Sequence, residues 1–113
     1  MKLLLEEAAR AKGEVEQSVM RINQLRQARK DAYLSYRARM DAGQEVHHAA
    51  QKLAEAEEAL RQENLVYVEK SDALRIASLN VEAAQKIIDA ESRARAEPSR
   101  DQRGRDLVDD LDR

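Results

Sequence analysis

The stretch from Val46 to Ile88, VHHAAQKLAEAEEALRQENLVYVEKSDALRIASLNVEAAQKII, decides how the whole chain reads. Every seventh residue in it is apolar and large: Val46, Leu53, Leu60, Tyr67, Leu74, Val81 and Ile88. A helix turns once per 3.6 residues, so a sustained seven-residue repeat lays a narrow apolar seam along a helix that winds gently about a partner. Three residues after most of these positions stands an alanine: Ala49, Ala56, Ala77 and Ala84. Large side chains alternating with alanine let two helices approach closely. The two breaks in the alanine row are Glu63 and Lys70.

Upstream, residues 2–40 contain no proline and one glycine, Gly13. Leu4, Ala8, Ala11, Val15, Val19, Ile22, Leu25, Ala32, Tyr36 and Met40 recur at helical spacing, interrupted by Arg26 and Arg29. Asp41-Ala42-Gly43-Gln44-Glu45 follows, and Gly43 suits the position just past a helix end, where the left-handed conformation carries no Cβ penalty. The reading is a helix over 2–41, a turn over 42–45 and a helix over 46–96. Pro98 pushes the residue before it out of the helical region, which predicts an end near Ala96. Residues 98–105 carry no apolar side chain and read as a linker. The acidic segment after it places Leu107, Val108 and Leu111 on one side of one or two turns. Residues 1–97 thus form one helical unit, and 98–113 a linker and short tail.

Charge chooses between a hairpin and a straight parallel rod. Arg21, Arg26, Arg29, Lys30, Arg37 and Arg39 stand against one acid, Asp31, in residues 21–39. Glu55, Glu57, Glu58, Glu63 and Glu69 stand against one base, Arg61, in residues 55–69. Folding at 42–45 sets residue i opposite roughly residue 87 − i, so that Arg29 and Lys30 face Glu57 and Glu58. The same fold brings Ile22 towards Leu65 and Val15 towards Leu74. A parallel pair in register would oppose like charges. The expected fold is therefore all-α, an antiparallel two-helix coiled-coil hairpin that self-associates into a larger helical bundle. A swapped dimer of straight rods makes the same contacts between chains.

Composition agrees. Charged residues make up 37% of the 113, and three glycines and one proline are too few to interrupt long helices. Phenylalanine and tryptophan are absent, so the bulk of a rounded core is missing. A net charge of −2 favours neither nucleic acid nor an acidic membrane. Without cysteine there is no disulfide or thiolate metal site. Leu3-Leu4-Leu5 is cut short by Glu6-Glu7, too brief for a signal segment, and no stretch approaches the roughly 20 apolar residues of a membrane span. The chain reads as soluble and cytoplasmic.

No catalytic constellation emerges. His47 and His48 are adjacent and point about 100° apart on a helix, which prevents shared ligation of one metal from one face. Glu45, His48 and Lys52 share a face but make a poor metal site. Acidic pairs such as Glu57-Glu58 and Asp109-Asp110 lack a pocket to tune them. Gly43 and Gly104 are isolated, so no phosphate-cradling loop forms. We expect no enzyme activity, no metal, no cofactor and no small-molecule substrate. The basic run 21–39 offers phosphate contacts but no base-reading motif.

One seam consumes one apolar stripe, and the second helix carries more. Leu65, Val66, Val68, Ile76, Leu79, Ala83 and Ile87 lie outside the heptad row. The hairpin brings Leu3, Leu4 and Leu5 to the same open end. The expected partner-binding residues are Leu3, Leu5, Leu65, Val68, Ile76, Leu79 and Ile87, with the half near Gly43 free of such surplus. Their partner is another protein, a second copy of the chain, or both. Over residues 2–97 the charge-rich hairpin resembles, in architecture alone, the coiled-coil export components of flagellar and type III secretion systems, the FliJ and YscO families. That resemblance implies a small export component or chaperone and assigns no functional residue. The reading from the residues themselves is a scaffold, adaptor or subunit of a larger assembly. Nucleic-acid association through the basic run stands third.

Overall fold

The computed structural model describes residues 1–111, with side chains described for residues 1–96. Two helices make up the fold: α1, Lys2–Asp41, and α2, His47–Leu111. They pack along one another as an antiparallel hairpin with principal extents of 102 × 25 × 14 Å.

The reversal is built by the residues that end α1. Gly43 has φ +70°, the left-handed conformation expected of it. Its N–H donates to the Met40 carbonyl at 3.1 Å, and the Gln44 N–H donates to the Arg39 carbonyl at 2.9 Å. These two bonds satisfy carbonyls that the last helical turn leaves without donors. Three residues later the chain is helical again. The Glu45 carboxylate accepts from the His47 N–H, and the Ala50 N–H donates to the Val46 carbonyl at 2.7 Å.

Cross-helix contacts give the direction and register. Ser18 donates to Glu63 at 2.8 Å, and Lys70 pairs with Glu14 at 3.3 Å. As position rises along α1 it falls along α2, which is antiparallel packing. The seam follows alternating steps of three and four: Leu4, Ala8, Ala11, Val15, Ser18, Ile22 and Leu25 are buried or half-buried, as are Ala32 and Tyr36. On α2, Leu60 and Ala49 are buried, and Val46, Leu53, Ala56, Leu74, Ala77, Val81 and Ala84 half-buried.

Four expectations need correction. Tyr67 of the heptad row is 37% exposed, and Val66, read as lying outside the seam, is half-buried beside it. Val19 and Met40 do not belong to the α1 seam: both are exposed, and Ser18, 1% exposed, takes the place given to Val19. The step from Val15 that stays on the inner face is three, not four, because the next member is Ile22. Ile22 does not pack on Leu65, which is 58% exposed on the far side of α2. Finally, α2 does not stop near Ala96 but continues through Pro98 to Leu111. Proline removes one helical donor and crowds the preceding turn, at a cost of about 3 kcal/mol, and Ala, Arg, Glu, Gln and Leu around it favour helix. The proposed alignment of Leu107, Val108 and Leu111 lies outside the described side chains.

The two helices are unequal in length, and the excess lies at the open end. Glu7 and Arg10 line one groove with Ala73, Ile76, Ala77 and Asn80. The start of α1 therefore lies within about two turns of that level, near Val81 and Ala84. Beyond it α2 runs on alone, which is why Ile88, last of the heptad row, is 39% exposed and Ile87 61%.

Candidate protein-binding surface

All seven residues expected to meet a partner are exposed. The fractions are 73% for Leu3, 51% for Leu5, 58% for Leu65, 64% for Val68, 48% for Ile76, 49% for Leu79 and 61% for Ile87. The structure does not gather them into one patch at the open end. Leu3 and Leu5 are two residues apart, about 200° around α1, so they fall on opposite flanks of that helix. The five residues of α2 do cohere. Steps of three, eight, three and eight residues join Leu65, Val68, Ile76, Leu79 and Ile87, with Asp72 and Ala83 filling the intermediate turns. At about 100° per residue they form a stripe along α2 outside the seam, with Ile76 at its α1 edge, in the groove it lines with Glu7 and Arg10. Leu65 lies level with the middle of the hairpin and Ile87 lies on the overhang, so the surface is a lengthwise strip and not an end.

Asp72 lies on the midline of the strip, with Glu69 and Lys86 at its margins. Asp72 is held within its own helix, accepting from Arg75 Nη2 at 2.8 Å and from Nε at 3.2 Å. The opposite, inner face handles its polar members differently. Glu63 is 13% exposed, accepts from the Ser18 hydroxyl and lies 3.9 Å from the Arg21 guanidinium. Lys70 reaches Glu14. The two breaks in the alanine row are thus matched by α1, and Ser18 was the partner that sequence reasoning missed. A signal for it existed: Ser18 sits three after Val15 and four before Ile22, where a seam residue belongs.

The expected charge zipper nearer the turn is looser. Arg26, Arg29, Lys30 and Tyr33 line a shallow groove with Leu53 and Glu57, which brings the basic and acidic runs side by side as the register required. No ion pair closes across this groove among the described residues. Glu58 pairs with Arg61 and accepts from Gln62 on its own helix, and Arg37 pairs with Asp41 at 3.6 Å. Tyr33 reaches Leu53 in the same groove. Contrary to expectation this half is not free of exposed apolar groups: Tyr33, Leu34 and Met40 are 49%, 53% and 42% exposed. Tyr33 and Met40, seven residues apart, share one side of α1, with Leu34 about 100° round from Tyr33, a shorter patch than the α2 strip.

His47 and His48 are both exposed in the first turn of α2. Among the described residues no group of three or more histidine, cysteine or carboxylate residues is placed to hold a metal ion. Among the same residues no helix is long and apolar enough to cross a membrane. The molecule exposes 9099 Å², where a compact globule of 12.9 kDa exposes about 6,300 Å². No family model, curated protein or solved structure matches the chain.

Proposed function

We propose that this protein is a non-enzymatic interaction module, a scaffold, adaptor or subunit of a larger assembly, that binds protein through the outer strip of α2. The observation that carries the reading is the strip itself. Leu65, Val68, Ile76, Leu79 and Ile87 are each about half or more exposed on one side of one helix. Fully burying such a side chain is worth roughly 1.5–3 kcal/mol, so a helical or otherwise apolar protein surface laid along the strip gains several kcal/mol. Leu3 and Leu5, on separate flanks of α1, add at most the rim of that contact. The hairpin architecture also fits a small export component or chaperone that holds clients transiently.

A tagged full-length chain recovered from native extract, compared with Ile76→Glu/Leu79→Glu, tests both readings. A stoichiometric set of proteins lost in the variant supports the assembly subunit. A broad substoichiometric set lost in the variant supports the chaperone. Retention of every bound protein by a variant that keeps its circular-dichroism helix signal removes the strip as the binding surface.

A further inference from the structure

We infer that the occupant of the outer strip is a second copy of this chain, packed back to back and antiparallel, with its two-fold axis at Ile76. This deepens the proposed function and rests on its assignment of the strip as a protein-binding surface.

Spacing is the first ground. A two-fold contact must be self-complementary, so a residue at some distance before the axis meets one at the same distance after it. Leu65 lies eleven residues before Ile76, and Ile87 eleven after. Reversing the strip about Ile76 therefore sets Leu65 against Ile87 of the second copy, at both ends of the contact. Val68 then falls at the level of Ala83, large against small, as Leu60 and Leu74 alternate with Ala56 and Ala77 in the hairpin's own seam. An eleven-residue repeat is 3.67 residues per turn, close to the 3.6 of a straight helix, so the strip runs almost parallel to the α2 axis. From Leu65 to Ile87 it covers about 33 Å, six helical turns.

Charge is the second ground, and it fixes direction. The stretch before the strip is acidic, with Glu55, Glu57 and Glu58. The stretch after it carries Arg93 and Arg95, on the part of α2 that α1 does not cover. Antiparallel pairing about Ile76 brings Glu57 and Glu58 to the level of Arg93 and Arg95 of the second copy, twice by symmetry. It also brings Arg61 to the level of Glu91. A parallel pair in register would oppose glutamates to glutamates and arginines to arginines. Arg75 lies close to the axis and meets its own copy there, but each guanidinium is already held by Asp72 of the same helix.

The absence of native cysteine makes the geometry directly readable. Sedimentation of the full chain should give twice 12.9 kDa. Ile76→Cys alone should form a disulfide-linked dimer on mild oxidation, because the axis brings that position against itself. Leu65→Cys alone should not link, whereas an equimolar mixture of Leu65→Cys and Ile87→Cys should. Ile76→Glu/Leu79→Glu should halve the sedimenting mass. Self-linking of Leu65→Cys would mean a parallel pair and overturn the proposal. So would a dimer that survives the double substitution, or a wild-type chain that sediments as a monomer. A monomer whose bound proteins are still lost in Ile76→Glu/Leu79→Glu overturns the second copy alone and leaves the protein-binding reading standing. A monomer whose bound proteins are unaffected removes both.

Discussion

The two faces of α2 are built from the same side chains and meet opposite fates. The inner face repeats every seven residues and is covered by α1 from Val46 to Ala84 except at Tyr67, burying Leu60 to 6% exposure. The outer face repeats every eleven and leaves Leu65, five positions further on, 58% exposed. Polar members are treated as differently. Glu63 on the inner face is satisfied across the hairpin by Ser18, while Asp72 on the outer face is satisfied within its own helix by Arg75. The lesson is that an apolar repeat reveals a face, and the matching of its polar interruptions reveals whether that face is already occupied within the chain.

The sharpest way to break this comparison is to delete the same side chain from each face. Leu60→Ala should cost about 2–4 kcal/mol of hairpin stability, because it opens a gap in the closed part of the seam. Leu65→Ala should cost the isolated hairpin under about 0.5 kcal/mol. Thermal melts followed by circular dichroism at low protein concentration, where association contributes least, measure both. Equal losses would mean that the two faces are equally buried in solution.

The polar layer sharpens the contrast next. Ser18→Ala leaves the largely enclosed Glu63 carboxylate without its hydroxyl donor and should cost about 1–2 kcal/mol. Substituting the exposed Asp72 by Ala removes a surface pair with Arg75 and should change stability by no more than about 0.5 kcal/mol. Urea titrations of both variants decide it. If Ser18→Ala is neutral, the Ser18–Glu63 bond does not hold the register.

Two glycines give the smallest effects, of opposite sign. Gly43→Ala forces a Cβ into the left-handed conformation at φ +70° and should destabilise the hairpin by about 1 kcal/mol. Gly13 lies within α1, and a Cβ there would meet nothing within 4 Å. Gly13→Ala should therefore stabilise by about 0.5–1 kcal/mol, through helix propensity alone. Both shifts are measurable as changes in melting temperature.

Much of this molecule was legible from its residues alone. The bounds of α1, the turn at Gly43, the start of α2 and the antiparallel direction follow from helix formers, one glycine and two oppositely charged runs. So does the sorting of Leu65, Val68, Ile76, Leu79 and Ile87 away from the heptad row. The end of α2 was not legible, because a proline weighs against helix only locally while its neighbours weigh for it. The pairing of Ile22 with Leu65 failed because the contacts of Ser18 with Glu63 and of Glu14 with Lys70 set the helices about one turn out of the register estimated from the turn.

The sequence by itself determined that two helices form, where they turn, and that one of them carries a second apolar face. Those are properties of periodicity and of single residues, which the chain expresses wherever its neighbours lie. Only the tertiary structure decided that Ser18 rather than Val19 enters the seam and that Glu63 finds its partner there. It alone placed Ile87 and Ile88 on the overhang beyond the start of α1. These outcomes depend on the rotation of each helix about its own axis and on their relative slide. Both are set by how all the layers of the seam fit at once, a condition no single segment contains.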